Sequence, residues 1–138
     1  MIVKYTHELT IQLDVKPLGK PRMTRADSWR RRPCVIRYRE FCDKIRAAAR
    51  KVGKIPNSNH VDLVIIKSDF AYPKSWGKKK KEAMKLERHR HKPDVDNISK
   101  GVMDALFSED SGIADLHAYK RWGEKDSITV KIYHFDGE

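Results

Sequence analysis

Leu9, Ile11, Leu13 and Val15 alternate with Thr10, Gln12 and Asp14. A period of two marks a strand with one buried face, and Pro17, Gly19 and Pro21 end it. Tyr38, Phe41, Ile45, Ala48 and Val52 then recur at helical spacing, with Gly53 as the stop. This predicts a helix over residues 35–52 whose apolar stripe faces a core, with Cys42 beside it as a small hydrophobe. Val61-Asp62-Leu63-Val64-Ile65-Ile66 is almost unbroken in aliphatic residues and reads as a central strand buried on both faces. Tyr72-Pro73 breaks that run, and residues 78–86 suit a short polar helix with Ser75 as its cap. From Asp96 onward a helix wound at about 100° per residue puts Ile98, Val102, Ala105 and Leu106 on one side. Asp96, Lys100 and Asp104 fall on the other side, within about 80° of one another. After a polar loop come two further runs, 113–122 and 127–135; in the second, Ile128, Val130 and Ile132 alternate with Thr129, Lys131 and Tyr133. Gly123-Glu124-Lys125-Asp126 between them predicts a hairpin turn. The order β, α, β, (α), α, β, β fits one mixed sheet packed with helices, an α/β or α+β single domain over residues 1–138.

Charge turns this frame toward a partner. The 138 residues suit one domain, 36% of them are charged, and the net charge is +11. Such an excess attracts a polyanion, nucleic acid ahead of an anionic membrane surface. No apolar run approaches the roughly 18 residues that span a bilayer, and residues 1–7 hold no signal-peptide core. Cys34 and Cys42 form no CxxC and read as reduced thiols of a cytoplasmic protein; the histidines show no zinc-like grouping. The cations are concentrated in two stretches. Residues 20–39 carry Lys20, Arg22, Arg25, Arg30, Arg31, Arg32, Arg37 and Arg39 against Asp27 alone, and residues 17–33 read as a long basic loop. Arginine forks suit phosphate oxygens. Trp29, in the middle, either stacks on an unpaired base or packs on the domain. Residues 74–92 hold Lys74, Lys78, Lys79, Lys80, Lys81, Lys85, Arg88, Arg90 and Lys92, with His89 and His91 expected on the surface among them.

This second basic ramp leads into Lys92-Pro93-Asp94-Val95-Asp96-Asn97-Ile98-Ser99-Lys100. Two carboxylates stand two residues apart at a helix mouth, where Asp94 or Asp96 can serve as N-cap. In isolation, Asp96 with Lys100 is an i,i+4 pair worth a few tenths of a kcal/mol. With Glu109-Asp110 one short loop beyond the helix, the segment can also supply the converging carboxylate oxygens of a Mg²⁺ site that keeps positions open for water and phosphate. Cations that draw in phosphates beside carboxylates that hold a metal are the parts of a nuclease.

The stretch from Lys92 to Asp104-Ala105-Leu106 resembles the RusA family of Holliday junction resolvases. The resemblance rests on Asp94-Val95-Asp96-Asn97, on Lys100, on Asp104-Ala105-Leu106, on Glu109-Asp110-Ser111-Gly112-Ile113 and on Lys120. Gly19-Lys20-Pro21-Arg22-Met23-Thr24-Arg25 is similar to the basic loop after the family's first strand. The resemblance covers most of the chain, and its specific part is residues 92–120. It implies a homodimer, dependent on Mg²⁺ or alternatively Mn²⁺, that cuts four-way DNA junctions by symmetric nicks. It places the metal-binding aspartates on Asp94, Asp96 and Asp110 and the essential lysine on Lys100, and leaves Asp104 as a helix-surface or structural acid. The Lys20–Arg39 and Lys74–Lys92 stretches would grip the junction arms. Three features depart from the family pattern: Glu109 stands where Asp is usual, Gly112 where a polar residue is common, and the loop over residues 106–110 is short. Glu109 and Asp115 are the alternatives should Asp110 not be a ligand. Three other functions compete: a DNA-binding module without chemistry, a metal nuclease of the Pro-Asp…Asp/Glu-x-Lys kind, and a structural dimer. The second conflicts with the spacing, since Asp96 and Lys100 are four apart on a helix where that motif has acid and lysine two apart on a strand.

Overall fold

Alternating apolar and polar side chains in four stretches build one sheet. The computed structural model describes residues 4–136; Met1, Ile2 and Val3, the start of the N-terminus expected to lack a signal core, lie outside them. The strands β1 (Lys4–Leu13), β2 (Leu63–Ala71), β3 (Asp115–Gly123) and β4 (Ser127–Asp136) lie in the order β1-β4-β2-β3. β4 is antiparallel to β1 and β2, and β3 is parallel to β2, so the sheet is mixed. Ile11, Val64, Ile66, Phe70, Trp122, Ile128, Val130 and Ile132 turn to one face and are buried there. α1 (Pro33–Val52) and α3 (Val95–Leu106) cover that face; α2 (Lys78–Met84) is a short connector with no buried residue. Each fully buried aliphatic side chain contributes roughly 1.5–3 kcal/mol.

α1 buries Val35, Tyr38, Phe41, Cys42, Ile45 and Ala49; the expected stripe holds at Tyr38, Phe41 and Ile45, but Ala49 rather than Ala48 is fully buried and Val52 is exposed. Pro33 opens the helix, where its missing N–H costs nothing, and Gly53 closes it at φ 146°, a conformation side chains disfavour. α3 buries Ile98, Val102 and Ala105, adds Ser99, Gly101 and Met103, and leaves Asp96, Lys100 and Asp104 exposed. The two helices meet at Gly101, where a Cβ would lie 3.0 Å from Cε1 of Tyr38.

Several expectations are corrected. β2 runs on through Lys67, Ser68, Asp69 and Phe70 and is buried on one face only; Leu63, Ile65, Lys67, Asp69 and Ala71 are partly exposed. Helices cover a single side of the sheet, and the aliphatic run masked a period-two pattern. The Gly123-Glu124-Lys125-Asp126 link is not a hairpin turn, because β2 lies between β3 and β4. The link passes the end of β2, where the Asp126 carboxylate accepts the Ala71 N–H at 2.8 Å and the Gly123 carbonyl accepts the Tyr72 N–H at 3.1 Å. Turn residues report a change of direction, not which strand fills the gap. Finally, His89 is not on the surface: it is 7% exposed, stacked on Phe70 at 3.8 Å between ring centroids and 4.5 Å from Trp122. Its segment pairs along the outer edge of β3 through Leu86 N–H to Trp122 O, Trp122 N–H to Glu87 O and His89 N–H to Lys120 O. This covers part of an otherwise open sheet edge. The polar helix is also shorter than expected, with Gly77 rather than Ser75 at its N-cap.

Packing accounts for Gly112. A Cβ there would overlap Oδ1 of Asn59 and sit 2.8 Å from the backbone of Asn59 and Ser58. Gly112→Ala should therefore destabilise the fold by about 1–3 kcal/mol, the usual cost of overpacking. A thermal unfolding scan checks this, and an unchanged Tm would contradict the contact.

Candidate active site

The mouth of α3 carries the chemistry. Asp94 is the N-cap residue, with extended φ and ψ, and its carboxylate makes no capping hydrogen bond. Asp96 stands in the first turn, and Lys100 follows one turn later with Nζ 3.9 Å from Asp96 Oδ2. Both side chains are exposed, so this pair adds little to stability. Beyond α3 the chain turns at Asp110, whose carbonyl accepts the Ile113 N–H at 3.1 Å before β3 begins. That turn brings Asp110 to the cleft of Asp96 and Lys100, a depression of about 340 Å³ whose apolar walls include Val95, Met103, Leu116 and Ala118.

Asp94 lines the neighbouring groove of about 430 Å³ with Lys16, Lys20, Lys92 and Asn97. The structure thus brings Asp96, Lys100 and Asp110 together and sets Asp94 beside them. Among the described residues, no three His, Cys, Asp or Glu side chains converge as a ready metal cage. The donor set still suits Mg²⁺. That ion keeps several waters and binds through one or two carboxylates plus substrate phosphates, and Asp96 and Asp110 offer two hard oxygen donors in an open cleft. Of the two alternatives to Asp110, Glu109 accepts the Ser111 N–H at 3.2 Å and lines a different groove with Asn57, Ser58 and Asn59. Asp115 opens β3, where its N–H donates to Asp62 O at 2.8 Å.

Several cations and acids hold this apparatus in place. Asp104 accepts from Lys20 Nζ at 2.5 Å and from the Tyr38 hydroxyl at 3.0 Å, and Lys20 N–H donates to Asn97 O at 3.0 Å. Lys20 thereby ties the basic loop to α3. Lys120 on β3 donates to the carbonyls of His91 at 2.6 Å and Pro93 at 2.8 Å. Sequence reasoning did not count Lys120 among the site residues; its one signal was its place at the end of the motif. Burial lowers the proton affinity of the Lys120 ammonium, and the nearby Asp94 carboxylate partly restores it. Burial, helped by Lys120 and His91, also pushes the His89 imidazole down to about 4.

The basic loop is a built structure. Asp27, 3% exposed, accepts a two-pronged contact from Arg32 (Nε to Oδ1 and Nη2 to Oδ2, both 2.8 Å) and the Thr24 N–H at 2.6 Å. Arg39 donates to the Asp27 carbonyl at 2.9 Å. These bonds, above all those from Arg32, hold the Asp27 carboxyl well below the usual carboxylate range. Arg32 is thus engaged within the protein, whereas Arg22, Arg25, Arg30 and Arg31 are exposed and Trp29 is 70% exposed. In the second stretch Lys78, Lys79, Lys80, Arg88, Arg90 and Lys92 are exposed, Lys81 is half-buried, and Lys80 Nζ lies 4.6 Å over the Trp76 ring.

A family model described as "Endodeoxyribonuclease RusA" matches residues 13–133. The chain is also 41% identical over 68 residues to a protein of Bacillus subtilis (strain 168) described as "Uncharacterized protein YqaN". That alignment covers 44% of this chain and 48% of the relative, so the chain spans about half the length of the curated relative it matches.

His89 generates a pH prediction. An unfolded histidine titrates near 6.5, and the folded one stays neutral until about 4. Below pH 6.5 the unfolded state takes up a proton that the folded state refuses. This contribution to stability is therefore full above pH 6.5 and drains away as the pH falls toward 4. His89→Phe, which keeps the stack on Phe70, should flatten the decline in Tm over that interval. A variant with the native slope would assign the decline to other groups.

Proposed function

This chain belongs to the RusA family of endodeoxyribonucleases, and from that premise we propose that it cuts four-way DNA junctions by paired symmetric nicks in a divalent-metal-dependent reaction of recombination and repair. The observation that carries the proposal is the convergence of Asp96, Lys100 and Asp110 on one cleft at the mouth of α3. Asp96 and Asp110 would hold Mg²⁺, or alternatively Mn²⁺, with Asp94 as a third holder from the adjoining groove. The bound ion would supply an activated water and offset charge on the scissile phosphate. Lys100, exposed and one turn from Asp96, contacts the same phosphate and stabilises the negative charge that develops on it.

The remaining cations bind the junction arms. Arg22, Arg25, Arg30 and Arg31 on one loop, and Lys78, Lys79, Lys80, Lys81, Arg88, Arg90 and Lys92 on the other segment, contact phosphates. The exposed Trp29 stacks on a base left unpaired near the crossover. Two opposed nicks in a two-fold symmetric substrate call for two sites, which a homodimer provides. Cys34 and Cys42 are both free thiols, in keeping with a reducing cytoplasm. Among the described residues no helix is long and apolar enough to cross a membrane.

The test is cleavage of a labelled synthetic four-way junction beside a linear duplex of the same sequence, with Mg²⁺ or chelator. The native chain should give paired nicks in the junction only, lost in chelator. Asp96→Asn should bind the junction but cut it about 10²–10³-fold more slowly, the scale of losing one element of transition-state charge stabilisation. Tight junction binding without cutting, unchanged by the mutation, would leave a basic structure-binding protein instead. In the binding arm, Arg30→Ala with Arg31→Ala should make the slope of log affinity against log salt shallower by about 1–2. An unchanged slope would remove that loop from the interface.

A further inference from the structure

Lys120 presents the most unusual contact near the site. It is a half-buried lysine on a strand whose ammonium donates to two main-chain carbonyls, with the Asp94 carboxylate close enough to feel its charge. Those carbonyls belong to His91 and Pro93, so they flank Lys92 and lie three residues and one residue before Asp94. Pairing of this segment with β3 ends at His89 N–H, which donates to the carbonyl of Lys120 itself. Helical bonding begins at Ile98 N–H, which donates to Asp94 O at 3.1 Å. Between these points the chain must leave the sheet edge, turn and enter α3 with Asp94 and Asp96 correctly aimed. The two bonds from Lys120 bridge that interval.

We propose that Lys120 is a positioning residue: its ammonium clamps the main chain that feeds Asp94 and Asp96 into α3, and so presets the carboxylates for a divalent cation. The inference rests on the reading of Asp94, Asp96 and Asp110 as metal holders. It makes a prediction of definite sign. A cation beside an acidic centre repels Mg²⁺, so if Lys120 acted by charge alone, neutralising it would tighten Mg²⁺ binding. If it acts as a clamp, neutralising it loosens binding, because the carboxylates must then be ordered at the moment the ion arrives.

Lys120→Met keeps most of the side chain and removes the donor. The comparison with the native chain uses three measurements: junction binding in chelator, the Mg²⁺ concentration at half-maximal thermal stabilisation, and amide hydrogen exchange. The Met variant should bind the junction in chelator like the native chain. Its Mg²⁺ midpoint should rise about tenfold, the lower end of the loss for groups that orient metal ligands. Exchange should quicken over residues 91–97 and not over α1. A midpoint equal to or below the native one overturns the clamp. Should the Met variant not fold, Lys120→Arg carries the test. Its longer side chain and planar head meet the two carbonyls in a different geometry, so the midpoint and exchange should move part of the way in the same direction. Native values in the Arg variant would then assign Lys120 to the fold instead of the site. If the native chain itself shows no Mg²⁺ stabilisation, the metal reading fails, and exchange alone decides the clamp: native exchange over residues 91–97 in the variant overturns it.

Discussion

α3 has to be two things at once, and the rest of the structure is arranged around that constraint. One side is buried through Ile98, Val102 and Ala105, while Asp96, Lys100 and Asp104 stay exposed on the other. The buried side is seated by the close crossing with α1 at Gly101, where the Tyr38 ring leaves no spare room. The Tyr38 hydroxyl then reaches past the crossing to Asp104. The contact that seats the helix therefore also fixes its rotation, and rotation decides which carboxylates face the cleft. A helix turned by one residue, about 100°, would carry Asp96 and Lys100 away from Asp110.

Electrostatics divides the cations into two groups. Lys20, Arg32 and Lys120 are bound to Asp104, Asp27 and main-chain carbonyls, and they shape the loop, the helix mouth and the path between them. Arg25, Arg30, Arg31, Arg88, Arg90 and Lys92 remain exposed around them. An excess of positive charge would by itself make mobile, mutually repelling loops. The buried Asp27 offsets this locally, since one acid accepts from Arg32 through its carboxylate and from Arg39 through its carbonyl. The result is a shaped basic surface in which Trp29 is presented outward.

Much of this was legible in the chain. The helix over residues 35–52 and the two-faced helix from Asp96 follow from spacing alone, because a 3.6-residue period admits one way to bury each stripe. The RusA resemblance implied Asp94, Asp96, Lys100 and Asp110 as one site; Asp96, Lys100 and Asp110 line one cleft, and Asp94 lines another groove. Where the reading erred, the cause was contact between distant segments. The Val61–Ile66 run looked buried on both faces because nothing local says how many layers of helix cover a sheet. The link over residues 123–126 looked like a hairpin turn because a turn does not disclose that β2 lies between its flanking strands. His89 looked solvent-exposed within a run of cations, yet its segment lies along β3 and places the ring between Phe70 and Trp122.

By itself the sequence determined the class of the elements, the apolar face of α3 and most of that of α1, the excess of positive charge and the acidic helix mouth. Each depends on neighbours within a few residues, where backbone geometry sets the distance. The tertiary structure alone decided that Asp110 joins Asp96 while Asp94 faces the adjoining groove. It also decided that Lys20 and Arg32 are tied down and that Lys120 holds the path into α3. Those partners lie far apart along the chain or turn on which way a side chain points, and only the packing of the sheet and helices brings them within hydrogen-bonding reach.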